Sequence, residues 1–197
     1  ICNVTDMKKT LIVVDMQNDF IDMALGTAEA VAIVPAVKAK IESYARQGHE
    51  IIYTRDTHGE DYLATPEGRK LPVPHCIRGT EGWQIAPGLY VPGSRIIDKP
   101  NFGWLGWKEL GLEKYEAVEL VGLCTDICVV SNALRLRKIA LHKNEIRKDN
   151  TENEVQDMLF GKKEDEKKKE STQIEDEFQA LYKEWFPDEV VNSGEME

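Results

Sequence analysis

Two cysteines four positions apart, Cys124 and Cys128, follow an apolar stretch and Gly122 at the point where a helix is predicted to begin. A thiol at a helix start lies at the positive end of the helix dipole, which favours the thiolate and therefore a nucleophile. Free cysteines are, however, often small buried hydrophobic side chains. This segment alone leaves both interpretations open.

Two charged side chains could turn such a thiol into a catalyst. Asp15 follows the apolar run LIVV, and Lys99 follows the segment RIID. A carboxylate beside a thiol can accept its proton, and a lysine can hold both anions in place and lower the pKa of the thiol. Taken alone, Asp15 would be a loop residue and Lys99 a solvent-facing one. A phosphatase with an aspartate nucleophile is disfavoured, because Gln17 stands where that class carries a second carboxylate.

A second group of residues has the composition of a metal site. Asp56 and His58 are two positions apart at the end of a predicted strand, where extended backbone places both side chains on one side. His75 follows after a loop that contains Glu67. One carboxylate, two imidazoles and a second carboxylate suit Zn, Fe or Mn with positions left open for other ligands. The Asp-x-His pattern alone has little specificity, and His49 is interpreted as a turn residue.

The elements that must position these residues alternate between strands and helices. Strands are predicted over residues 11–14, 50–54, 95–98 and 117–123, and helices over 34–47, 104–112 and 128–141. This alternation predicts an α/β fold with a parallel or mostly parallel central sheet covered by helices. Binding crevices of such sheets lie beyond the carboxyl ends of the strands. One rim is therefore expected to carry Asp15, Asp56, Lys99 and the turn from Cys124 to Cys128.

Composition narrows the class of protein. The 197 residues suffice for one α/β domain, and the four cysteines are too few for a disulfide framework, which predicts a reducing compartment. The sequence has neither an apolar run of the roughly 20 residues that span a membrane nor a signal-peptide pattern, so a cytoplasmic protein without membrane association is expected. No basic segment suggests nucleic-acid binding.

Three regions are predicted along the chain. Residues 1–6 are interpreted as an N-terminal extension, residues 7–150 as the domain and residues 151–197 as an acidic, helix-prone segment. This last segment carries 15 acidic and 6 basic side chains, and so 9 of the 10 net negative charges. An amphipathic helix is predicted after Thr172, with the apolar residues Ile174, Phe178, Leu181 and Trp185 on one face. We expect it to pack on its own domain, with docking to a partner protein as the alternative.

Five segments together carry a family resemblance. LIVVDMQNDF, TRDTH, PHCIRGTEGW, the lysine of IIDKPNF and GLCTDICVVSNAL occur in this order between about residues 7 and 141. In these segments the chain resembles the nicotinamidase branch of the isochorismatase-like cysteine hydrolases. The resemblance implies a Rossmann-like three-layer α/β/α fold and a catalytic triad of Asp15, Lys99 and Cys128. It also implies a metal site made of Asp56, His58 and His75, with Glu67 as a candidate fourth ligand.

The resemblance further implies an activity and its supporting groups. The implied reaction is hydrolysis of nicotinamide to nicotinate and ammonia through a thioester on Cys128, as part of NAD salvage. A cis peptide before Cys124 would turn the amide hydrogens of Cys124 and Cys128 into an oxyanion hole. The implied metal is Zn, with Fe or Mn as alternatives, and in the family it binds the pyridine nitrogen. Phe20 and Phe102 are the aromatic residues expected against the substrate ring, and a homo-oligomer is left open.

Two departures from the family pattern keep other functions in view. Pro72 occupies the position three residues before His75, where nicotinamidases often carry an aromatic residue, and residues 144–158 lack the apolar strand expected there. One alternative is a metal-free cysteine amidase of the same fold that acts on carbamoyl or ureido compounds. Another is a catalytically idle domain whose C-terminal helix binds a partner.

Overall fold

A parallel sheet forms the centre of the described structure. The computed structural model describes residues 8–137 together with Asp176, Ala180 and Lys183. Four strands lie in the order β3-β2-β1-β4: β1 (Thr10–Val14), β2 (Glu50–Asp56), β3 (Arg95–Lys99) and β4 (Val118–Gly122). All three strand pairs are parallel. The predicted α/β class with a parallel central sheet is confirmed.

Strand β1 is buried on both faces. Leu11 and Val13 belong to one apolar cluster, whereas Ile12 and Val14 belong to another on the opposite face. Successive side chains of a strand point to opposite faces, so an uninterrupted apolar run is what a strand covered on both sides requires. The run LIVV therefore fixes β1 as an interior strand, and the residues after Val14 start at the carboxyl edge of the sheet.

Helices cover the two faces differently. α1 (Asn18–Ile21) is a single turn, and α2 (Ala28–Arg46) packs Val37, Ile41 and Tyr44 into the cluster that contains Leu11. Two short 3-10 helices cover the other face, at Gly106–Leu110 and Leu112–Lys114. A π-helical turn at Thr125–Val129 follows β4 and continues as α-helix over residues 130–137. These elements supply the outer layers of an α/β/α arrangement.

Several predicted boundaries need correction. α2 begins at Ala28 rather than at residue 34, because Thr27 caps it by accepting a 3.1 Å hydrogen bond from the amide of Ala30. Pro35, which favours a helix start, instead lies inside this helix. The helix predicted over 104–112 is replaced by the two 3-10 segments, because Gly111 between them has a left-handed backbone with φ of 61°. Strands β2 and β3 extend to Asp56 and Lys99.

The chain divides into two compact units, residues 1–62 with 73–141 and residues 63–72 with 142–197. The sheet lies in the first unit. The second contains α3 (Pro66–Lys70) and most of a 3-10 helix at Tyr62–Ala64. Asp176, Ala180 and Lys183 are helical and exposed, whereas the apolar residues of the predicted C-terminal helix, the extension at residues 1–6 and residues 144–158 lie outside the described residues. Among the described helices, none has the length and apolarity needed to cross a membrane.

Candidate active site

The carboxyl ends of three strands meet through one buried lysine. Asp15 follows β1 with a left-handed φ of 49°, and its Oδ1 accepts a 2.6 Å hydrogen bond from Thr54 Oγ1. Lys99 ends β3 in register with Asp56 at the end of β2. Its ammonium nitrogen lies 2.6 Å from Asp15 Oδ2 and 3.5 Å from Asp56 Oδ1. The Lys99 side chain, at the end of β3, therefore reaches past the end of β2 to the end of β1.

Cys128 completes this group. It lies in the π-helical turn after β4, is buried, and its Sγ is 3.8 Å from Lys99 Nζ. The same lysine therefore contacts both the Asp15 carboxylate and the Cys128 sulfur. The structure thus brings together Asp15, Lys99 and Cys128, as the sequence predicts; the catalytic roles of these residues remain predictions. Cys124, in contrast, is exposed and lies outside this buried cluster.

Burial sets the protonation of this cluster. Burial raises the pKa of the Cys128 thiol well above its usual range, and Asp15 adds to the rise although Lys99 opposes it. The expected effect of Lys99, which lowers the pKa of the thiol, is present, but burial outweighs it, so the net direction is opposite to the expected thiolate. Burial also raises the pKa of Asp15, with Lys99 again opposing. For Lys99, burial alone would lower the pKa, but the charges of Asp15, Cys128 and Asp56 raise it.

The backbone before Cys128 has one of the features that the family resemblance implies. The peptide bond between Leu123 and Cys124 is cis. Cys124 takes an extended conformation, and its carbonyl accepts hydrogen bonds from the amides of Ile127 and Val129. The assignment of the Cys124 and Cys128 amide hydrogens to an oxyanion hole remains a prediction.

Asp56, His58 and His75 converge beside this cluster. Asp56 Oδ2 lies 2.8 Å from His58 Nε2 and 3.6 Å from His75 Nε2, and all three side chains are buried. One ligand atom from each residue lies within 4.8 Å of the others. Burial alone would raise the pKa of Asp56, but Lys99 and the hydrogen bonds of both histidines lower it. A buried carboxylate facing two imidazole nitrogens suits a divalent metal such as Zn.

Hydrogen bonds orient both histidines. His75 Nδ1 lies 2.8 Å from the carbonyl oxygen of Val73; donation of a proton there leaves Nε2 with a lone pair for a metal. His58 is tied to the strand-like segment after His75, because its amide donates to Cys76 O at 3.0 Å. Asp19 in turn accepts a 2.7 Å hydrogen bond from the Cys76 amide. These contacts hold the backbone next to the two histidine rings in place.

Glu67 lies in the second unit, in the first turn of α3. Thr65 caps this short helix by accepting a 2.9 Å hydrogen bond from the Gly68 amide. The Glu67 side chain is buried although it carries a carboxyl group. A buried carboxylate is stable only when hydrogen bonds or positive charge compensate it. The assignment of Glu67 as a metal ligand remains a prediction.

The two aromatic residues expected near a substrate lie beside different parts of the site. The ring of Phe20 is 5.5 Å from that of His75, and Phe20 is half-buried. Phe102 is also half-buried and packs against the apolar cluster that contains Cys128. Their roles against a substrate ring remain predictions.

Asn132 is a structural partner of the site that the sequence analysis missed. Its Oδ1 accepts hydrogen bonds from Trp104 N and Trp107 Nε1, both at 2.9 Å. Its Nδ2 donates to the carbonyl oxygens of Cys128 at 2.8 Å and Phe102 at 3.2 Å. Asn132 lies four residues after Cys128, a spacing that places the two residues on one face of a helix. This spacing is the signal in the sequence that could have identified Asn132. Asn132 thereby fixes the segment that contains Cys128 to the loop that carries Phe102.

The chain is similar in sequence and in fold to proteins described as nicotinamidases or pyrazinamidases. A nicotinamidase/pyrazinamidase of Mycobacterium tuberculosis is 28% identical over 148 residues, which cover 64% of this chain and 76% of the relative. The crystal structure of a Pyrococcus horikoshii pyrazinamidase in complex with zinc matches with a TM-score of 0.57 and 28% identity, covering 67% of this chain and 79% of the other.

A third comparison concerns a different amide substrate. The structure of an N-carbamoylsarcosine amidase from Thermoplasma acidophilum matches with a TM-score of 0.54 and 32% identity, over 64% of this chain and 74% of the other. The isochorismatase domain matches residues 9–139, which include all of the parallel sheet and the cysteine turn. The chain therefore belongs to the isochorismatase domain family of hydrolases.

Proposed function

We propose that this chain is a metal-dependent cysteine amidohydrolase that converts nicotinamide into nicotinate and ammonia. The observation that carries the proposal is the position of Lys99, 2.6 Å from Asp15 and 3.5 Å from Asp56. This lysine lies between two groups of side chains. One is a carboxylate and a thiol suited to nucleophilic catalysis, and the other is a carboxylate and two imidazoles suited to a metal. The similarity to nicotinamidases and pyrazinamidases supports the choice of substrate.

The first half of the reaction forms a thioester. Because the raised pKa of Cys128 keeps it a thiol at rest, a base is required, and we assign this role to Asp15. The raised pKa of Asp15 makes it a better proton acceptor than an ordinary carboxylate. The thiolate attacks the carboxamide carbon, and Lys99 stabilises the charges that separate. Asp15 then gives the proton to the leaving nitrogen, so that ammonia departs.

The second half releases the acid. Asp15 takes a proton from water as the water oxygen attacks the thioester, the carbon–sulfur bond breaks, and the proton returns to the Cys128 sulfur. In both halves a negative oxygen develops on the former carboxamide carbon, and we assign the amide hydrogens of Cys124 and Cys128 to it. Loss of one such donor costs about 3 to 4 kcal/mol of barrier.

The metal would be held by Asp56, His58 and His75, with Zn as the first choice and Fe or Mn as alternatives. We propose Glu67 as the fourth ligand, since it is a buried carboxylate of the type that joins two histidines in such sites. When bound, the metal supplies a Lewis-acidic charge that can orient a ring nitrogen of the substrate. Phe20 and Phe102 are proposed to contact the faces of the ring.

Hydrolysis of a carbamoyl or ureido compound is the second candidate. The 32% identity to an N-carbamoylsarcosine amidase favours it. The buried set of Asp56, His58 and His75 favours the first candidate, because a reaction that needs no metal would leave this costly arrangement without a use.

Ammonia release distinguishes the two candidates. We expect release from nicotinamide, its loss after treatment with a chelator and its recovery on addition of Zn²⁺, whereas N-carbamoylsarcosine should release little. His58→Ala should lower both the metal content, measured by elemental analysis, and the activity. His49→Ala is the matched control, because His49 lies before β2 and outside the site. Chelator-resistant ammonia release from the carbamoyl compound would replace the proposal by its alternative.

A further inference from the structure

Strand β1 stops pairing before its neighbour β2 ends. The last residue of β1 in register with β2 is Val14, opposite Thr54. Asp15 then takes a left-handed φ of 49°, and the chain turns away from the sheet. β2 continues to Asp56, which is in register with Lys99 of β3 on its other side. Among the described residues, therefore, no strand pairs with the side of Asp56 that faces β1.

The side-chain amide of Gln17 takes the place of that missing partner. Its Oε1 accepts a 2.7 Å hydrogen bond from the amide of Asp56, and its Nε2 donates a 2.9 Å hydrogen bond to the carbonyl oxygen of the same residue. A primary amide offers the same donor and acceptor as a peptide group. Gln17 thus continues the pairing of β1 with β2 by means of a side chain.

The environment leaves this amide one orientation. The second proton of Gln17 Nε2 is donated to the carbonyl oxygen of Trp83 at 2.9 Å, and the whole residue is inaccessible to solvent. Because two carbonyl oxygens face the nitrogen and an amide hydrogen faces the oxygen, rotation of the group by 180° would break all three hydrogen bonds. The backbone of Asp56 is consequently held by a rigid clamp.

We infer that Gln17 is a positioning residue for the metal site, because its amide holds the backbone of Asp56 so that the carboxylate faces His58 and His75. Asp56 Oδ2 lies 2.8 Å and 3.6 Å from the Nε2 atoms of these histidines, distances that a shift of the Asp56 backbone would change. Groups that hold a metal ligand in place without touching the metal commonly set its affinity. This inference rests on the proposed metal dependence.

Asn18 provides a matched control. It is the next residue in the chain, and its side-chain amide donates a 2.9 Å hydrogen bond to the carbonyl oxygen of Glu81, two residues before Trp83. Asn18 therefore anchors the same loop as Gln17 does. It has no hydrogen bond to Asp56 among those of the described residues. If a loss of Zn²⁺ affinity came only from disturbance of this loop, substitutions of Gln17 and of Asn18 should both cause it.

The affinity for Zn²⁺ tests the inference without an activity assay. Gln17→Met has nearly the same length but can form none of the three hydrogen bonds, and Gln17→Glu keeps an acceptor but loses both donors. Zn²⁺ affinity is measured by competition with a chromophoric chelator, and the geometry by the absorption spectrum of bound Co²⁺. We expect both Gln17 variants to bind Zn²⁺ about 10- to 100-fold more weakly and to change the Co²⁺ spectrum. Asn18→Ala should match the wild type.

The thermal unfolding of each metal-free variant separates a positioning role from a general loss of stability. Zn²⁺ affinity equal to that of the wild type in a folded Gln17 variant overturns the inference, even where that variant unfolds at a lower temperature. Should Gln17→Met not fold, Gln17→Glu decides by the same criterion. A wild-type protein that binds none of Zn²⁺, Fe²⁺ and Mn²⁺ would instead refute the proposed metal dependence itself.

Discussion

Lys99 and Asp15 form an ion pair of 2.6 Å in which both side chains are completely buried. The same ammonium group lies 3.5 Å from Asp56 and 3.8 Å from the sulfur of Cys128. One cation therefore serves two carboxylates and a thiol in a region without solvent. Removal of a single partner from such a group leaves charge that nothing else balances.

Lys99→Met should destabilise the fold as well as inactivate the protein. The substitution leaves Asp15 and Asp56 buried without their cation, and we expect a loss of about 3 to 5 kcal/mol in the free energy of unfolding. Denaturant titration measures it. Lys40→Ala is the control: its ion pair with Glu119 is between side chains that are 38% and 39% exposed, so the loss should be below about 1 kcal/mol. Equal losses in the two variants would contradict this account.

Asp15→Asn should separate the reactivity of the thiol from turnover. Burial is the main reason for the raised pKa of Cys128; the charge of Lys99 lowers this pKa, and the charge of Asp15 raises it further. Removing the charge of Asp15 should therefore lower the pKa of Cys128, and iodoacetamide should alkylate it faster at pH 7.5. Ammonia release should nevertheless fall, because the proposed proton acceptor is lost. Mass spectrometry of the Cys128 peptide measures alkylation, and slower alkylation in the variant would contradict the prediction.

The pH dependence of Cys128 alkylation in the wild-type protein is a second test of the raised thiol pKa. Alkylation follows the thiolate fraction, so a raised pKa should make Cys128 slow at neutral pH. The rate should continue to rise above about pH 8.5, the usual pKa of a thiol. A plateau near neutral pH would show that the thiolate is favoured after all.

The two cysteines of the turn should differ sharply. Cys128→Ala should lower turnover by more than about a thousandfold, because it removes the proposed nucleophile, while binding of nicotinamide persists. Cys124→Ala should be nearly harmless, since its proposed contribution is a backbone amide hydrogen that alanine retains. Ammonia release and calorimetric binding measure the two effects. A large loss in Cys124→Ala, or a loss well below a thousandfold in Cys128→Ala, would reverse the assignment.

The sequence predicts the positions of the reactive groups because parallel strands order them. Apolar runs identify the strands, and Asp15, Asp56 and Lys99 stand at strand ends that a parallel sheet brings to one edge. The direction of the Cys128 pKa could not be predicted in the same way. The helix start is visible locally, but the burial that raises the pKa depends on residues distant in the chain.

The hydrogen-bond partners of the side-chain amides of Gln17 and Asn132 are harder still to predict from the sequence. Gln17 reaches Asp56 and Trp83, 39 and 66 positions away, and nothing in the local sequence reveals such partners. Asn132 contacts a loop about 30 residues before it. Hydrophobic periodicity reports which face of an element is buried, but it carries no information on which distant backbone groups need a partner.

Gly122→Ala should disrupt the end of β4, next to the cysteine turn. Gly122 is in register with Val14 of β1, and a Cβ at this position would lie 2.0 Å from the Val14 carbonyl oxygen. Its φ of 133° is also a conformation that L-residues rarely adopt. Since backbone rather than a flexible side chain stands in the way, we expect a loss of more than about 3 kcal/mol in the free energy of unfolding, together with the loss of activity.

Gly48→Ala is the matched control for this substitution. Gly48 has a φ of 68°, but a Cβ there would meet nothing within 4 Å. Its substitution should therefore cost only the backbone strain, about 1 to 2 kcal/mol. Denaturant unfolding of the two variants isolates the effect of the close approach between β4 and β1. If Gly122→Ala proved no more damaging than Gly48→Ala, the close contact that brings the cysteine turn beside Asp15 would not exist in solution.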